Sequence, residues 1–164
     1  MLTAFHPGVS SQKFDTNAKI KAVFIYNFMK YIEWPKEYNS GEITINILGD
    51  NQAIYDELTK MSRVKKISNQ SFSVYKIDSP GNVGNPHILY IPEDSTDQLS
   101  QALENLDGKS TLIITEAPGL ARKGAAINFI VQGNRQKYEL NKSNLESRDL
   151  KVASVLEQLA VLVN

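Results

Sequence analysis

The side chains able to do chemistry in this chain are few and scattered. There are two histidines, His6 and His87, and no cysteine. Without cysteine there are no disulfides, thiolate metal ligands or cysteine nucleophiles. A zinc site needs three or four ligands at defined spacing, and His, Asp and Glu do not cluster that way in the sequence. Serine catalysis finds no G-x-S-x-G elbow and no histidine placed as its base. A phosphate cradle needs a glycine-rich loop between a strand and a helix. Leu48-Gly49-Asp50-Asn51 has the position, but only one glycine and an acidic side chain that repels phosphate. Ala117-Pro118-Gly119-Leu120-Ala121-Arg122-Lys123-Gly124 offers two glycines and two cations, yet it precedes a hairpin and reads as a turn. Arg63, Lys65 and Lys66 read as a solvated basic turn. Glu93-Asp94 stands at a helix start, where the dipole favours negative charge. His87 opens an apolar strand and reads as a histidine satisfied by backbone groups. No catalytic residue, metal site or cofactor is assigned.

Two sets of residues remain as candidate sites. In open α/β sheets, ligands settle outside the carboxyl ends of parallel strands. Those ends are expected at Gly49-Asp50, Pro92-Glu93 and Thr115-Glu116, so Gly49, Asp50, Glu93 and Glu116 form the candidate ligand pocket. The second set is aromatic: Trp34, the only tryptophan, with Tyr31 and Tyr38 nearby. Aromatic residues at a rim suit a partner interface; the alternative is that Trp34 closes the core.

The elements that must position these residues follow from periodicity. Over Thr16 to Pro35, the residues Ile20, Phe24, Ile25, Phe28, Met29, Tyr31 and Ile32 spread over about half a helix circumference, wider than the ~100° stripe of a surface helix. Lys19, Lys30 and Glu33 share the other face, and Pro35 ends the helix. Such a helix needs cover along two sides. Ile43, Ile45 and Ile47 alternate in a strand that exits through Gly49-Asp50 into a helix carrying Ile54, Leu58 and Met61, capped by Asp50 or Asn51. A second alternating run covers Phe72 to Ile77, and residues 79–86, rich in Pro, Gly and Asn, read as a mobile loop. His87 to Ile91 and Thr111 to Thr115 have the continuous apolar pattern of strands buried on both faces. The helix between them, with a capping box from Ser95 to Gln98, makes a right-handed parallel crossover. Ala126–Val131 and Lys137–Leu140 form a hairpin across Gly133-Asn134. Asn141 caps a short helix, and a capping box at Ser154 and Glu157 opens a terminal helix burying Leu156, Leu159, Ala160 and Val163. The result is one layered α/β domain: a mixed, mostly parallel sheet with an antiparallel hairpin and helices on both faces.

Composition bounds the rest. A chain of 164 residues suits one domain. Eighteen acidic and eighteen basic side chains cancel, leaving no general field to attract nucleic acid or an anionic membrane. No apolar run approaches the ~18 residues of a membrane span, so direct membrane insertion is not expected. Residues 1–14 lack the basic and apolar regions of a signal peptide. They read as a disordered arm or the remnant of an export region, with the domain over 15–164.

Several segments in order resemble one family: AKIKAVFIYNFMKYIEWP at 18–35, ITINILGD at 43–50, HILYIPE at 87–93, TLIITEAPGLARKGAAINFIVQGNRQKYELN at 111–141 and LKVASVLEQLAVLV at 150–163. Tyr26-Asn27-Phe28, Glu33-Trp34-Pro35, Leu48-Gly49-Asp50, and Gly124, Asn128, Phe129 and Asn141 carry the most information. Together they resemble the YfiR-like family of small secreted bacterial proteins. The resemblance implies a periplasmic, non-enzymatic regulator that self-associates, as a homodimer. It implies a partner too: an inner-membrane signalling protein with a periplasmic domain, of the diguanylate cyclase type (hence cyclic-di-GMP signalling) or the histidine kinase type. Many relatives carry cysteine just before the histidine of the HILYI-type strand. Here Pro86 stands there, so any thiol-based control is absent. The alternative reading is a periplasmic small-molecule receptor with its pocket at the strand ends.

Overall fold

The computed structural model describes residues 15–164; the arm expected over residues 1–14 lies outside them. The first helix, α1, covers Ala18–Tyr31, its entry tied by Asp15, whose carboxylate accepts from the Asn17 amide at 3.0 Å. It does not run on to Pro35. Ile32–Glu33 turns extended as β1 and pairs antiparallel with Lys151–Val152, gaining ladder bonds just where the coming proline disfavours helix. Its covered face is also narrower than expected. Ala18, Lys21, Ala22, Ile25, Phe28 and Met29 are buried, whereas Ile20 is 48% and Tyr31 36% exposed.

A 3₁₀ turn at Lys36–Tyr38 leads into β2 (Ile43–Leu48) and α2 (Gln52–Ser62). Asn51 is the cap of α2, its side-chain oxygen accepting from the Ile54 amide at 3.1 Å. After β3 (Phe72–Ile77), the turn-rich stretch contains a 3₁₀ turn at Pro80–Asn82 and buries Val83, whose carbonyl accepts from Asn46 at 2.9 Å. That loop is packed onto the sheet. Next, β4 (Ile88–Ile91) is wholly buried. Ser95 makes no cap: Glu93–Gln98 winds as a 3₁₀ turn and α3 starts only at Leu99–Asn105. Then come β5 (Leu112–Thr115), a 3₁₀ turn at Leu120–Arg122, and the hairpin β6 (Ile127–Gln132) and β7 (Arg135–Asn141). Gly133 and Asn134 both have φ of 59°, the left-handed pair that a two-residue hairpin turn demands.

The C-terminal third departs most from expectation. Asn141 does cap α4 (Lys142–Glu146), by accepting from the Asn144 amide. After β8 (Lys151–Val152), however, α5 is only Ser154–Leu159, without a side-chain cap, and Val161–Val163 is β9. Ala160 turns extended and β9 pairs parallel with β7, so pairing along a free sheet edge displaces about one further helical turn. Leu159, placed by periodicity on a buried stripe, is 63% exposed.

Seven strands form one sheet in the order β3-β2-β4-β5-β6-β7-β9. The first five run parallel, β7 is antiparallel to β6, and β9 is parallel to β7. The chain winds outward from β2 in one direction through α2 and in the other through α3, so the order reverses between β2 and β4. Two core layers result. One, beneath α1, α2 and α5, holds Ile25, Phe28, Ile45, Tyr90, Phe129 and Leu156. The other, beneath α3, holds Leu48, Leu89, Ile91, Leu99 and Ile113. In the first, Phe28 meets Tyr138 edge to face with ring centroids 4.9 Å apart, an arrangement contributing about 1 kcal/mol beyond its burial.

Candidate functional site

The carboxyl ends of the parallel strands hold the first candidate set. Gly49 leaves β2 with φ of 96°, and a Cβ there would press on the Ser95 hydroxyl. The positive φ favours glycine, and any side chain there would also have to displace the Ser95 hydroxyl. Asp50 points away, its side chain 88% exposed and 3.8 Å from Lys76. Glu93 is exposed at the start of its 3₁₀ turn.

Glu116 behaves differently. One of its carboxylate oxygens takes Lys21 and the other accepts from the Tyr90 hydroxyl. Lys21 also donates to Asp15 at 3.0 Å. Lys21 is 4% exposed and Tyr90 fully buried, so α1 is pinned over the strand ends by a buried lysine between two carboxylates. Burial, and then the charge and hydrogen bond of Glu116, push the Tyr90 hydroxyl well above its usual range. The phenol therefore stays protonated and donates. Every polar atom of this knot is engaged within the protein, which leaves no free base or nucleophile in it. Lys21, Asp15 and Tyr90 were absent from the sequence expectations. The signal for Lys21 was a lysine at the helical phase of Ala18, Ile25 and Phe28, inside the apolar stripe.

The amino ends of the same strands hold the second set. Residues 32–38 form a strap across β2, β4 and the approach to β5. Trp34 is 7% exposed and its ring lies 5.8 Å from that of His87; Tyr38 meets the imidazole edge to face at 5.4 Å. The imidazole is held at both nitrogens by backbone. Nδ1 accepts from the Thr44 amide at 3.2 Å, and Nε2–H donates to the Tyr38 carbonyl at 2.7 Å. These partners require the neutral ring protonated on Nε2. The Tyr38 hydroxyl donates to Asn85 at 2.7 Å and accepts from the Ser110 amide at 3.1 Å. Indole Nε1 of Trp34 is buried and has no hydrogen-bond partner among the described residues. Of the aromatic trio Tyr31 is exposed, with the Lys30 ammonium 5.3 Å from its ring centre; Trp34 is buried, Tyr38 is half-buried, and both pack on His87.

A shallow polar cleft of about 220 Å³ lies near this end, between the turn after α3 and the turn after α4. Arg148 joins the two turns, donating through Nη1 to the carbonyls of Leu106 and Lys109. Among the described residues no group of three or more His, Asp or Glu side chains is placed to hold a metal ion. No helix among them is long and apolar enough to cross a membrane.

A parallel sheet reversing its order between β2 and β4, with helices on both faces and a hairpin extension, defines a doubly wound α/β domain. A solved structure is similar in fold: the ABC domain in complex with L-Trp from Streptococcus pneumonia. It shares 9% identity and a TM-score of 0.60, over 90% of this chain and 60% of the other. The present chain thus spans under two thirds of that protein's length, and the likeness speaks for the fold alone. No curated protein matches the chain. The family model described as YfiR/HmsC-like matches residues 18–161, and the chain belongs to that family.

Proposed function

We propose that this protein is a non-enzymatic periplasmic regulator. It binds and represses an inner-membrane sensor, of the diguanylate cyclase or histidine kinase type, through that sensor's periplasmic domain. Family membership supports a periplasmic regulatory role in general terms. The observation that carries the protein-binding part is the outer face of α1. Ile20, Val23 and Tyr31 lie exposed along it, at spacings that keep them on one side of the helix. Exposed apolar side chains on one helix face, here interspersed with Asn27 and Lys30, suit contact with another protein. Tyr31 makes the direct contact in this reading, while Trp34 and Tyr38 hold the strap behind it. Self-association as a homodimer fits a different surface. Val155 and Leu159 on α5, and Leu162 on β9, the edge strand of the sheet, are exposed.

The test is capture from solubilised membranes of the source organism with the wild-type protein and an Ile20→Ser/Tyr31→Ser variant. The expected outcome is one sensor with a periplasmic domain, depleted about tenfold or more by the variant. Recovery of no membrane protein by the wild type rejects the reading. Sedimentation of wild type against Leu159→Ser/Leu162→Ser tests the dimer: equal, monomeric behaviour removes it.

A second reading, a small-molecule receptor, is favoured by one feature. The order reversal between β2 and β4 brings Gly49 and Glu93 to the crevice where such folds take ligands. Asp50 and Glu116 border that crevice in this reading. A screen of small metabolites for thermal stabilisation tests it, and a Gly49→Ala variant should abolish any response.

A further inference from the structure

The strap over residues 32–38 is held to the sheet by one titratable ring whose two nitrogens have fixed and opposite roles. His87 Nδ1 accepts from the Thr44 amide while Nε2–H donates to the Tyr38 carbonyl. A second proton can go only to Nδ1, where it would face the Thr44 N–H. Acceptor then becomes donor, two N–H groups oppose each other, and a cation is left between Trp34 and Tyr38 in a site that is 7% exposed. Among the described residues the Tyr38 carbonyl is the one acceptor that bonds to the ring.

We propose that His87 is an acid-operated latch: its protonation releases the Trp34–Tyr38 strap from the amino ends of β2 and β4 and so alters the surface that begins at Tyr31. As a control over partner binding, this rests on the regulator reading above; as a property of the fold, it does not.

The surroundings leave the imidazolium uncompensated. Glu33, Lys36 and Glu37 on the strap, Glu42 before β2, and Lys151 opposite β1 are all exposed. Lys109, on the approach to β5, spends its ammonium on the Gly84 carbonyl at 2.7 Å. None of these is a hydrogen-bond partner of the ring, and among the described residues no carboxylate bonds to it to hold the cation. Burial accordingly lowers the imidazole below its usual 6.5, against the smaller opposing effect of the Tyr38 carbonyl. The direction of linkage follows. The unfolded or released state binds the proton more readily, so the latch contributes in full above pH 6.5 and weakens as pH falls from there through the lowered folded value.

Trp34 is the only tryptophan and sits on the ring, so it reports the latch directly. The experiment follows its emission maximum and acrylamide quenching from about pH 7.5 to about pH 5 in the full chain, with far-UV circular dichroism alongside. Wild type should red-shift and quench at least about threefold faster on acidification while its secondary structure holds. His87→Gln can keep both backbone bonds without titrating and should stay flat. His6→Gln should follow wild type. The His87 ring titration, read by NMR in wild type, should share the optical midpoint. A flat wild-type curve, an unchanged transition in His87→Gln, or a midpoint apart from the His87 titration overturns the proposal. No partner is present in this titration. Its failure removes the latch and leaves the regulator reading, whereas failed membrane capture removes that reading and leaves the latch.

Discussion

At the carboxyl ends of β4 and β5, a buried lysine is neutralised by Asp15 and Glu116, with the Tyr90 hydroxyl closing the knot. At the amino ends of the same strands, a neutral imidazole is wedged between Trp34 and Tyr38 and bonded only to backbone. Both regions fasten a segment from the first third of the chain to the sheet. The first uses opposite charges that need each other; the second uses aromatic packing around one neutral ring. The consequence is a difference in how each fails. Removing one member of a charge knot strands the others in a poor solvent. Removing packing leaves a cavity, and adding a proton leaves a cation.

Trp34→Ala should show the largest effect. Truncating a buried tryptophan costs about 3–5 kcal/mol, enough to lower the melting temperature by roughly 10 °C in a domain of this size. Calorimetry measures it, and a loss below about 1 kcal/mol would mean the strap is not packed as described. Lys21→Met comes next. It leaves Asp15 and Glu116, whose side chains keep under a fifth of their surface exposed, without their cation. Breaking a buried pair costs about 3–5 kcal/mol, and the residual exposure brings the expectation to the lower end. Lys21→Met/Glu116→Gln should recover much of that loss. A double variant as damaged as the sum of its singles would refute the coupling.

Gly49→Ala should cost about 1–2 kcal/mol, from positive φ and from contact with Ser95. Ser95→Gly in that background should relieve only the contact part, read by urea unfolding. Trp34→Phe should have the smallest effect, within about 1 kcal/mol. It loses some volume but also removes an indole N–H that is buried without a partner among the described residues. If Trp34→Phe were as harmful as Trp34→Ala, then the indole itself, and not an aromatic filling, would be what holds the strap.

Both ends of the strands draw on residues whose roles were unequally legible. Gly49 and Glu116 were identifiable because a parallel strand must leave its carboxyl end through a turn, and the apolar runs marked where β2 and β5 stop. What those turns then touch was not. Glu116 meets Lys21 across ninety-five positions of sequence, and Ser95 meets Gly49 across forty-six, contacts that no local spacing encodes. His87 was readable as a strand-opening histidine bonded to backbone, but its second partner, the Tyr38 carbonyl, comes from the strap.

By itself the sequence determined the core strands, the hairpin turn and the cap at Asn141, and narrowed the cap of α2 to Asp50 or Asn51. These depend on period, on positive φ at Gly133 and Asn134, and on a side chain reaching its own backbone three residues on. It also determined the family, through the order of its segments. Only the tertiary structure decided where α1 ends, that the last helix yields to β9, and that a lysine lies buried within an apolar stripe. In each case the competing choices were close in local propensity. Strand pairing at a free edge or a distant carboxylate tipped them, and those partners exist only once the chain has folded.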